Sequence, residues 1–157
     1  MPLIWNDAII DRTEQDVERV KELNYKWLMG TISDDEKEEW ENDLKGALNT
    51  SDLVRIENNI QLLSDVLELD LHTHVGDIPV LPREAYFNDL VQNITAIRNT
   101  IYVHSYTPQP PSQPLNLYTK WNDIEKILDD VYTILNNNFY YFCNEGYYCG
   151  DQFGLLL

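Results

Sequence analysis

Apolar residues recur along three stretches of the chain at the spacing of one helix face. In residues 49–69 they follow one another at intervals of three, four, three and four positions, which places them on a single stripe of an α-helix. The same stripe recurs twice, each time 34 residues later, so three long helices that share one core are predicted. The stripes are Leu53, Ile56, Ile60, Leu63 and Leu67; Phe87, Leu90, Ile94, Ile97 and Ile101; and Trp121, Ile124, Leu128, Val131 and Leu135.

The length of this period bears on the architecture. A period of 34 residues is also typical of tetratricopeptide arrays, but those place two helices in each period. Here each period holds one helix of about 21 residues and one linker of about 13, so a solenoid is not predicted. An extended linker of that length spans roughly 40 Å, more than the roughly 30 Å of a 20-residue helix. The linkers therefore permit parallel as well as antiparallel helices, and the sequence does not choose between them.

Two shorter helices are predicted before the first stripe from the signals at their ends. Thr13 and Ser33 each precede an acidic residue by three positions, the spacing of a capping box. The first helix is predicted over residues 14–29, where a glycine follows. The second is predicted over residues 33–44, with Gly46 as its stop.

The tail of the chain is rich in aromatic residues and differs from the rest. Aromatic residues flank Asn144-Glu145-Gly146, a pattern that predicts a β-hairpin with its glycine in the left-handed position. In one register Cys143 faces Tyr147, and in another it faces Cys149. Whether the two cysteines form a disulfide therefore stays open.

These elements together predict a mostly α protein. The expected architecture is a helical bundle of about five helices, three long and two shorter, over residues 1–137. The long helices are expected over about 49–69, 83–103 and 117–137. The C-terminal aromatic β-hairpin is expected to form an appendage over residues 138–157.

Charge and composition exclude several classes of function. The 157 residues include 27 acidic and 11 basic side chains, for a net charge of −16, and two thirds of the acids lie in residues 1–71. A negative field repels phosphate backbones, so no nucleic-acid partner is expected. No apolar run is long enough to span a membrane, and residues 1–12 lack a secretory signal. Two cysteines do not make a disulfide framework, which fits synthesis in a cytoplasm.

The histidines are the residues that most suggest chemistry. His72 and His74 alternate along an extended segment, so they point the same way and could hold zinc together with Asp70 or Asp77. No third ligand stands at a characteristic spacing, and His104 lies in the next linker. A polar loop surface is therefore favoured, and the sequence predicts no metal site, no cofactor and no catalytic residues.

Polar residues beside the stripes form a second group of candidates. Within the predicted helices they are placed to fix the register of the bundle or to bind a neighbouring chain. The acidic run over residues 34–43 is instead typical of a solvated helix surface. The candidates beside the stripes are Glu57, Asn58, Asn59, Asn122 and Asp123.

Four blocks of the sequence carry a resemblance to a known class of protein. They are DRTEQDVERVKEL at 11–23, EEWENDLKGALNTSDLVRIENNIQLLSDVL at 38–67, PLNLYTKWNDIEKILDDVY at 114–132 and YYCGDQFG at 147–154. The chain resembles bacteriophage and prophage tail or minor structural proteins of Gram-positive, gut-type bacteria. The resemblance implies a non-enzymatic virion subunit of the tail, baseplate or adhesion apparatus, assembled in the host cytoplasm. Its implied partners are further copies of itself and other virion proteins.

Aromatic side chains are the expected interface of such a subunit, because aromatic residues are enriched in interface cores. Two alternatives compete with this interpretation. One is an acidic inhibitor that imitates DNA and occupies a host nucleic-acid-binding or defence protein, and the other is a metal-dependent enzyme built on the three histidines. The candidate interface residues are Trp5, Tyr140, Tyr141, Phe142, Tyr147, Tyr148 and Phe153.

Overall fold

The computed structural model describes residues 4–144, with side chains up to residue 137, and this part of the chain is helical. Its helices are α1 (Glu14–Met29), α2 (Asp34–Glu41), α3 (Thr50–Val66), α4 (Glu84–Thr100) and α5 (Tyr118–Asn144). No strand occurs between residues 4 and 144. The predicted count of five helices, three long and two shorter, is confirmed for this range.

The signals that predicted α1 and α2 act as expected. Thr13 and Ser33 cap the two helices, and each forms a complete capping box with the acidic residue three positions on. Gly30 ends α1 in the left-handed conformation, with φ of 68°. These contacts satisfy the backbone groups that a helix end leaves without partners.

The three apolar stripes meet in one core, as predicted. Fully buried residues come from all three long helices, and the outermost stripe positions pack against them while partly exposed. Burial of this kind stabilises a fold by about 1.5–3 kcal/mol for each large apolar side chain. The stripe residues that the core buries are Leu53, Ile56, Ile60, Leu63, Leu90, Ile94, Ile97, Trp121, Ile124, Leu128 and Val131.

The long helices α4 and α5 run in the same direction. Near their starts, the rings of Phe87 and Trp121 meet edge to face with centroids 6.1 Å apart. Near the end of α4, Arg98 donates a hydrogen bond to the Thr107 carbonyl at 3.3 Å. The Thr107 hydroxyl in turn donates to Asp130 of α5 at 2.7 Å. The contacts advance together along both helices, so the two are parallel.

The helix α3 is parallel to both of these. Its first turns meet α5 near that helix's start, because Arg55 donates to the Glu125 carboxylate at 2.7 Å and 2.9 Å. The linker after α3 then runs back along α3. The Ser64 hydroxyl donates a hydrogen bond to the Leu69 carbonyl, and the His74 N–H donates one to the Glu57 carboxylate. Each long linker thus returns the chain to the end where the previous helix began.

Four predicted helix ends differ from the structure, and two of them are the ends of α3 and α4, which lie at Val66 and Thr100 and not near residues 69 and 103. Helix α2 ends at Glu41, because the backbone of Asn42 is extended (φ −88°, ψ 158°). The side-chain amide of Asn42 donates to the Glu38 carbonyl at 2.7 Å. Gly46 is therefore not the stop of this helix. Helix α5 continues through Asn144, across the predicted first strand of the hairpin.

The predicted β-hairpin is consequently not supported. Phe139 and Phe142 continue the apolar spacing of Leu135 by four and then three positions, which favours a longer helix over a strand. The rest of the predicted hairpin, residues 145–157, lies outside the described residues.

Candidate functional site

The predicted interface residues fall into two groups. Trp5 lies at the edge of the core, where its ring stacks on Tyr132 with centroids 4.2 Å apart and planes 3° from parallel. Three more lie on the backbone of α5 at positions 140–142, beyond the last described side chain. The remaining three, Tyr147, Tyr148 and Phe153, lie outside the described residues, as does Cys149. The tail interface therefore stays a prediction.

A cluster of charged side chains is buried between the N-terminal segment, α3 and α5. One Arg12 nitrogen donates to Asp52 at 3.1 Å and to Glu125 at 2.7 Å, and all three side chains are almost fully buried. Arg55 donates to the same two carboxylates. Two guanidiniums thus neutralise two carboxylates, the condition under which buried charges are tolerated.

The cluster shifts the pKa of one of its acids. Burial acts to raise the pKa of Asp52. The backbone N–H of Asn49 at 2.9 Å and the two guanidiniums act to lower it, and the net shift is downward. Asp52 is thereby held as a carboxylate, which suits a structural role in the cluster.

The N-terminal segment is bound to the bundle by polar side chains. Asn59 accepts the Asn6 N–H at 3.0 Å and donates to the Asn6 carbonyl at 2.8 Å. Asn122 makes the same paired contact with the backbone of Arg12. The predicted polar candidates Asn59 and Asn122 therefore hold this chain's own lead segment in place.

The linker between α3 and α4 positions two histidines beside α4. The His72 carbonyl accepts a hydrogen bond from Asn93 at 2.7 Å, and the His74 N–H donates to Glu57 at 3.0 Å. A turn follows at once, in which the Asp77 N–H donates to the His74 carbonyl at 3.0 Å and Gly76 takes a φ of 78°. The backbone on both sides of the pair is therefore fixed.

Both imidazoles converge on Asp89 of α4. His72 Nδ1 lies 3.3 Å and His74 Nε2 lies 3.2 Å from the same oxygen, Asp89 Oδ2. The ring centroids are 4.7 Å apart. The structure thus brings the predicted pair together with a third group that sequence reasoning missed.

The other residues considered with this pair lie elsewhere. Asp70 and Asp77 are not part of the group of potential ligands that the described residues form here, and neither is His104. His104 stacks on Tyr106, with ring centroids 4.9 Å apart. The acid that the structure places beside the two histidines is therefore Asp89, and not Asp70 or Asp77, the two acids considered from the sequence.

Two buried residues with polar groups, Tyr86 and Glu57, contact His74 on the side of the core. The ring of Tyr86 lies 5.0 Å from that of His74 between centroids. Burial raises the pKa of Tyr86, and the nearby Glu57 carboxylate raises it further. Among the described residues, the Tyr86 hydroxyl and Glu57 Oε1 are buried without a hydrogen-bond partner.

The C-terminal end of α1 exposes a group of large apolar side chains. Leu28 is 72% and Met29 is 59% exposed, and Tyr25 is also exposed. Trp27 stacks on Trp40 of α2, with centroids 6.3 Å apart, and still remains about half exposed. We call Tyr25, Trp27, Leu28 and Met29 the α1 patch.

Comparisons of the chain with protein-family models, with curated proteins and with solved structures find no match. Within the described residues, no helix combines the length and the apolar character needed to cross a membrane. The functional conclusion therefore depends on the geometry above and on the sequence resemblance.

Sequence reasoning missed Asp89 and the buried charges for the same reason. Asp89 is 15 positions beyond His74 on another helix, and Glu125 is 70 positions beyond Arg55. No local spacing connects such residues. One local signal was present: Asp52 stands next to Leu53, the first residue of an apolar stripe. A charge at the edge of a core is rarely left unpaired, so this position indicates a buried ion pair.

Proposed function

We propose that this protein is a non-enzymatic structural subunit of a phage virion, a component or adaptor of the tail, baseplate or adhesion apparatus that acts by oligomeric assembly. The affiliation with phages comes from the resemblance of four sequence blocks. The observation that supports assembly is the α1 patch. Tyr25, Leu28 and Met29 share one face of α1, because residues three and four positions apart lie side by side on a helix, and an exposed apolar group of this kind is typical of an interaction site.

The α1 patch is suited to a contact with another protein surface. One aromatic ring and two flexible apolar side chains share this face of α1, and the stacked rings of Trp27 and Trp40 lie at the same end of the helix. Ion pairs lie beside it, since Lys26 contacts Glu22 at 2.8 Å and also pairs with Glu36. An apolar centre with a charged rim is the usual composition of an interface.

The pairing of the acidic side chains favours assembly over DNA imitation. On α1 and α2 the bases contact acids: Arg19 binds Glu39 at 2.6 Å, and Lys21 binds Glu18 at 2.6 Å. Lys37 likewise lies 2.8 Å from Asp34. The carboxylates in these pairs imitate phosphates poorly, because each nearby cation weakens the field, whereas the two helices together still carry ten acids against four bases.

The proposal is tested by substituting two exposed neighbours in the α1 patch, Leu28 and Met29. Leu28→Glu combined with Met29→Glu changes side chains that the isolated chain leaves in solvent, so folding is expected to be retained. An apolar side chain buried at an interface contributes about 1.5–3 kcal/mol. Loss of two should weaken self-association by at least about 100-fold, measured by light scattering and analytical ultracentrifugation over a concentration series.

A matched variant distinguishes the patch from a general effect of added charge. Val80→Glu combined with Leu81→Glu places the same two new charges in the first linker, where the wild-type side chains are 97% and 81% exposed, and is expected to leave association unchanged. A wild-type chain that stays monomeric at every concentration, and whose removal leaves particle assembly intact, contradicts the proposal. Immunogold electron microscopy of purified phage particles that carry the gene tests the virion location directly.

A further inference from the structure

We propose that His72, His74 and Asp89 form a binding site for a divalent transition-metal ion of the zinc type. This inference is separate from the proposed function, which needs no metal. It begins from the convergence of three potential ligands from two elements. Their donor atoms all lie within 4.8 Å of one another.

The distances within this group suit tetrahedral coordination. Zinc binds imidazole nitrogen and carboxylate oxygen at about 2.0–2.2 Å, which separates neighbouring ligand atoms of a tetrahedron by roughly 3.3 Å. The two nitrogen-to-oxygen separations at Asp89 are 3.3 Å and 3.2 Å. The third separation, between His72 Nδ1 and His74 Nε2, is within 4.8 Å. Because the side chain of His72 is 75% exposed, a rotation of its ring can shorten this separation.

The ligand types select among metals. Two imidazoles and one carboxylate suit zinc and neighbouring transition metals, whereas magnesium and calcium prefer oxygen ligands alone. Three protein ligands also leave the fourth tetrahedral position to a water molecule. The site would therefore be open on the side of the exposed His72 ring.

The backbone that carries the ligands is already in place. The carbonyl of His72 and the N–H of His74 are both hydrogen-bonded, to Asn93 and to Glu57. The Glu57 carboxylate that accepts the His74 N–H is itself fully buried. The backbone of both histidines therefore needs no rearrangement to present the two rings to an ion.

A bound ion would join the first long linker to α4. His72 and His74 belong to the linker, whereas Asp89 lies in the second turn of α4. The metal would thus add a cross-link to the hydrogen bonds and apolar contacts that already hold the linker. Because it binds the folded chain, it should raise the melting temperature as its concentration rises.

The test is a calorimetric titration of the untagged full chain with zinc sulfate. We expect one equivalent to bind, and we expect His72→Ala and Asp89→Asn each to weaken the binding by at least 10-fold, since even outer-shell changes at metal sites cost about 10–100-fold. His72→Ala alters an exposed ring, so this variant should keep its fold, which circular dichroism verifies. The titration is repeated with Cys143→Ser and Cys149→Ser together, because thiols bind zinc independently.

Two controls use residues that the structure separates from the site. His104→Ala removes the third histidine of the chain, and Asp77→Asn removes an acid of the same linker. Both are expected to bind zinc as the wild type does. Nitrogen-15 spectra should show zinc-dependent shifts for the rings of His72 and His74 and none for His104. Absence of stoichiometric binding, or equal losses in the His104→Ala variant, overturns the proposal.

Discussion

At the scale of single residues, Arg12 connects the N-terminal segment to two helices that are distant in sequence. Its guanidinium reaches Asp52 of α3 and Glu125 of α5, and also donates to the Ile9 carbonyl at 2.7 Å. Glu125 further accepts the Ile9 N–H at 2.8 Å. The buried Glu125 carboxylate thus joins α5 to the N-terminal segment and to α3, near the end of the bundle where α3 and α5 both start.

Glu125→Ala is expected to destabilise the protein strongly. The change leaves the buried guanidinium of Arg12 and the partly buried one of Arg55 with only Asp52 to neutralise them, and it removes the acceptor of the Ile9 N–H. Breaking a buried pair by removing one partner costs about 3–5 kcal/mol. The free energy of unfolding, measured by urea denaturation, should fall by about that amount.

The matched control is Glu39→Ala, which removes a carboxylate from the exposed pair with Arg19. Exposed pairs are weakened by solvent, so this variant should unfold close to the wild-type midpoint. Equal losses in the two variants would show that the buried cluster contributes no more than a surface pair.

At the scale of elements, the sequence predicted what local interactions determine. The capping boxes at Thr13 and Ser33 act within four residues, and the stripes need only the helical period, so most helix starts and the shared core were found. The end of α2 and the length of α5 were not. Asn42 breaks a helix that its neighbours would continue, and the aromatic residues after Leu135 suit a strand as well as a helix.

The candidate sites were predicted less completely than the fold. The proximity of His72 to His74 is a local property, because residues two positions apart in an extended segment point the same way. Asp89 joins them only because the linker turns back along α3 and α4 starts beside it. The same return path places Glu57 beneath His74, a contact that no spacing in the sequence indicates.

Gly46 shows a role that helix signals did not predict. A Cβ atom built on it would lie 2.1 Å from the Asp16 carbonyl oxygen and 2.6 Å from the Val17 nitrogen, both in the backbone of α1. The segment after α2 therefore packs directly on α1, and only glycine fits. Gly46→Ala must displace a helix backbone, which should cost about 1–3 kcal/mol or more in the free energy of unfolding.

The comparison for this variant is Gly76→Ala. Its Cβ would meet nothing within 4 Å, and its cost comes only from its φ of 78°, about 1 kcal/mol. Both variants are measured by thermal unfolding. A Gly46→Ala protein as stable as Gly76→Ala would mean that the two segments can separate without loss.

At the scale of the whole molecule, parallel helices explain why the linkers are long. Antiparallel neighbours need only short connections, whereas each parallel helix requires the chain to travel back along the previous one. The return segments are bonded to the bundle, since Lys120 donates to the Pro114 carbonyl at 2.8 Å and Trp121 to the Leu115 carbonyl at 3.1 Å. The first return segment also carries both histidines, so the topology creates the proposed metal site.

The parallel arrangement is tested by shortening the second linker. Helix α4 spans 17 residues, or about 25 Å, and five residues reach at most about 18 Å. Replacing residues 101–117 with five residues should therefore prevent α5 from packing in register and abolish cooperative unfolding. Inserting four Gly-Ser residues between the exposed Val80 and Leu81 should cost less than about 1 kcal/mol, because loop entropy grows slowly with length. A shortened chain that still unfolds cooperatively at the wild-type midpoint would require α5 to run antiparallel to α4.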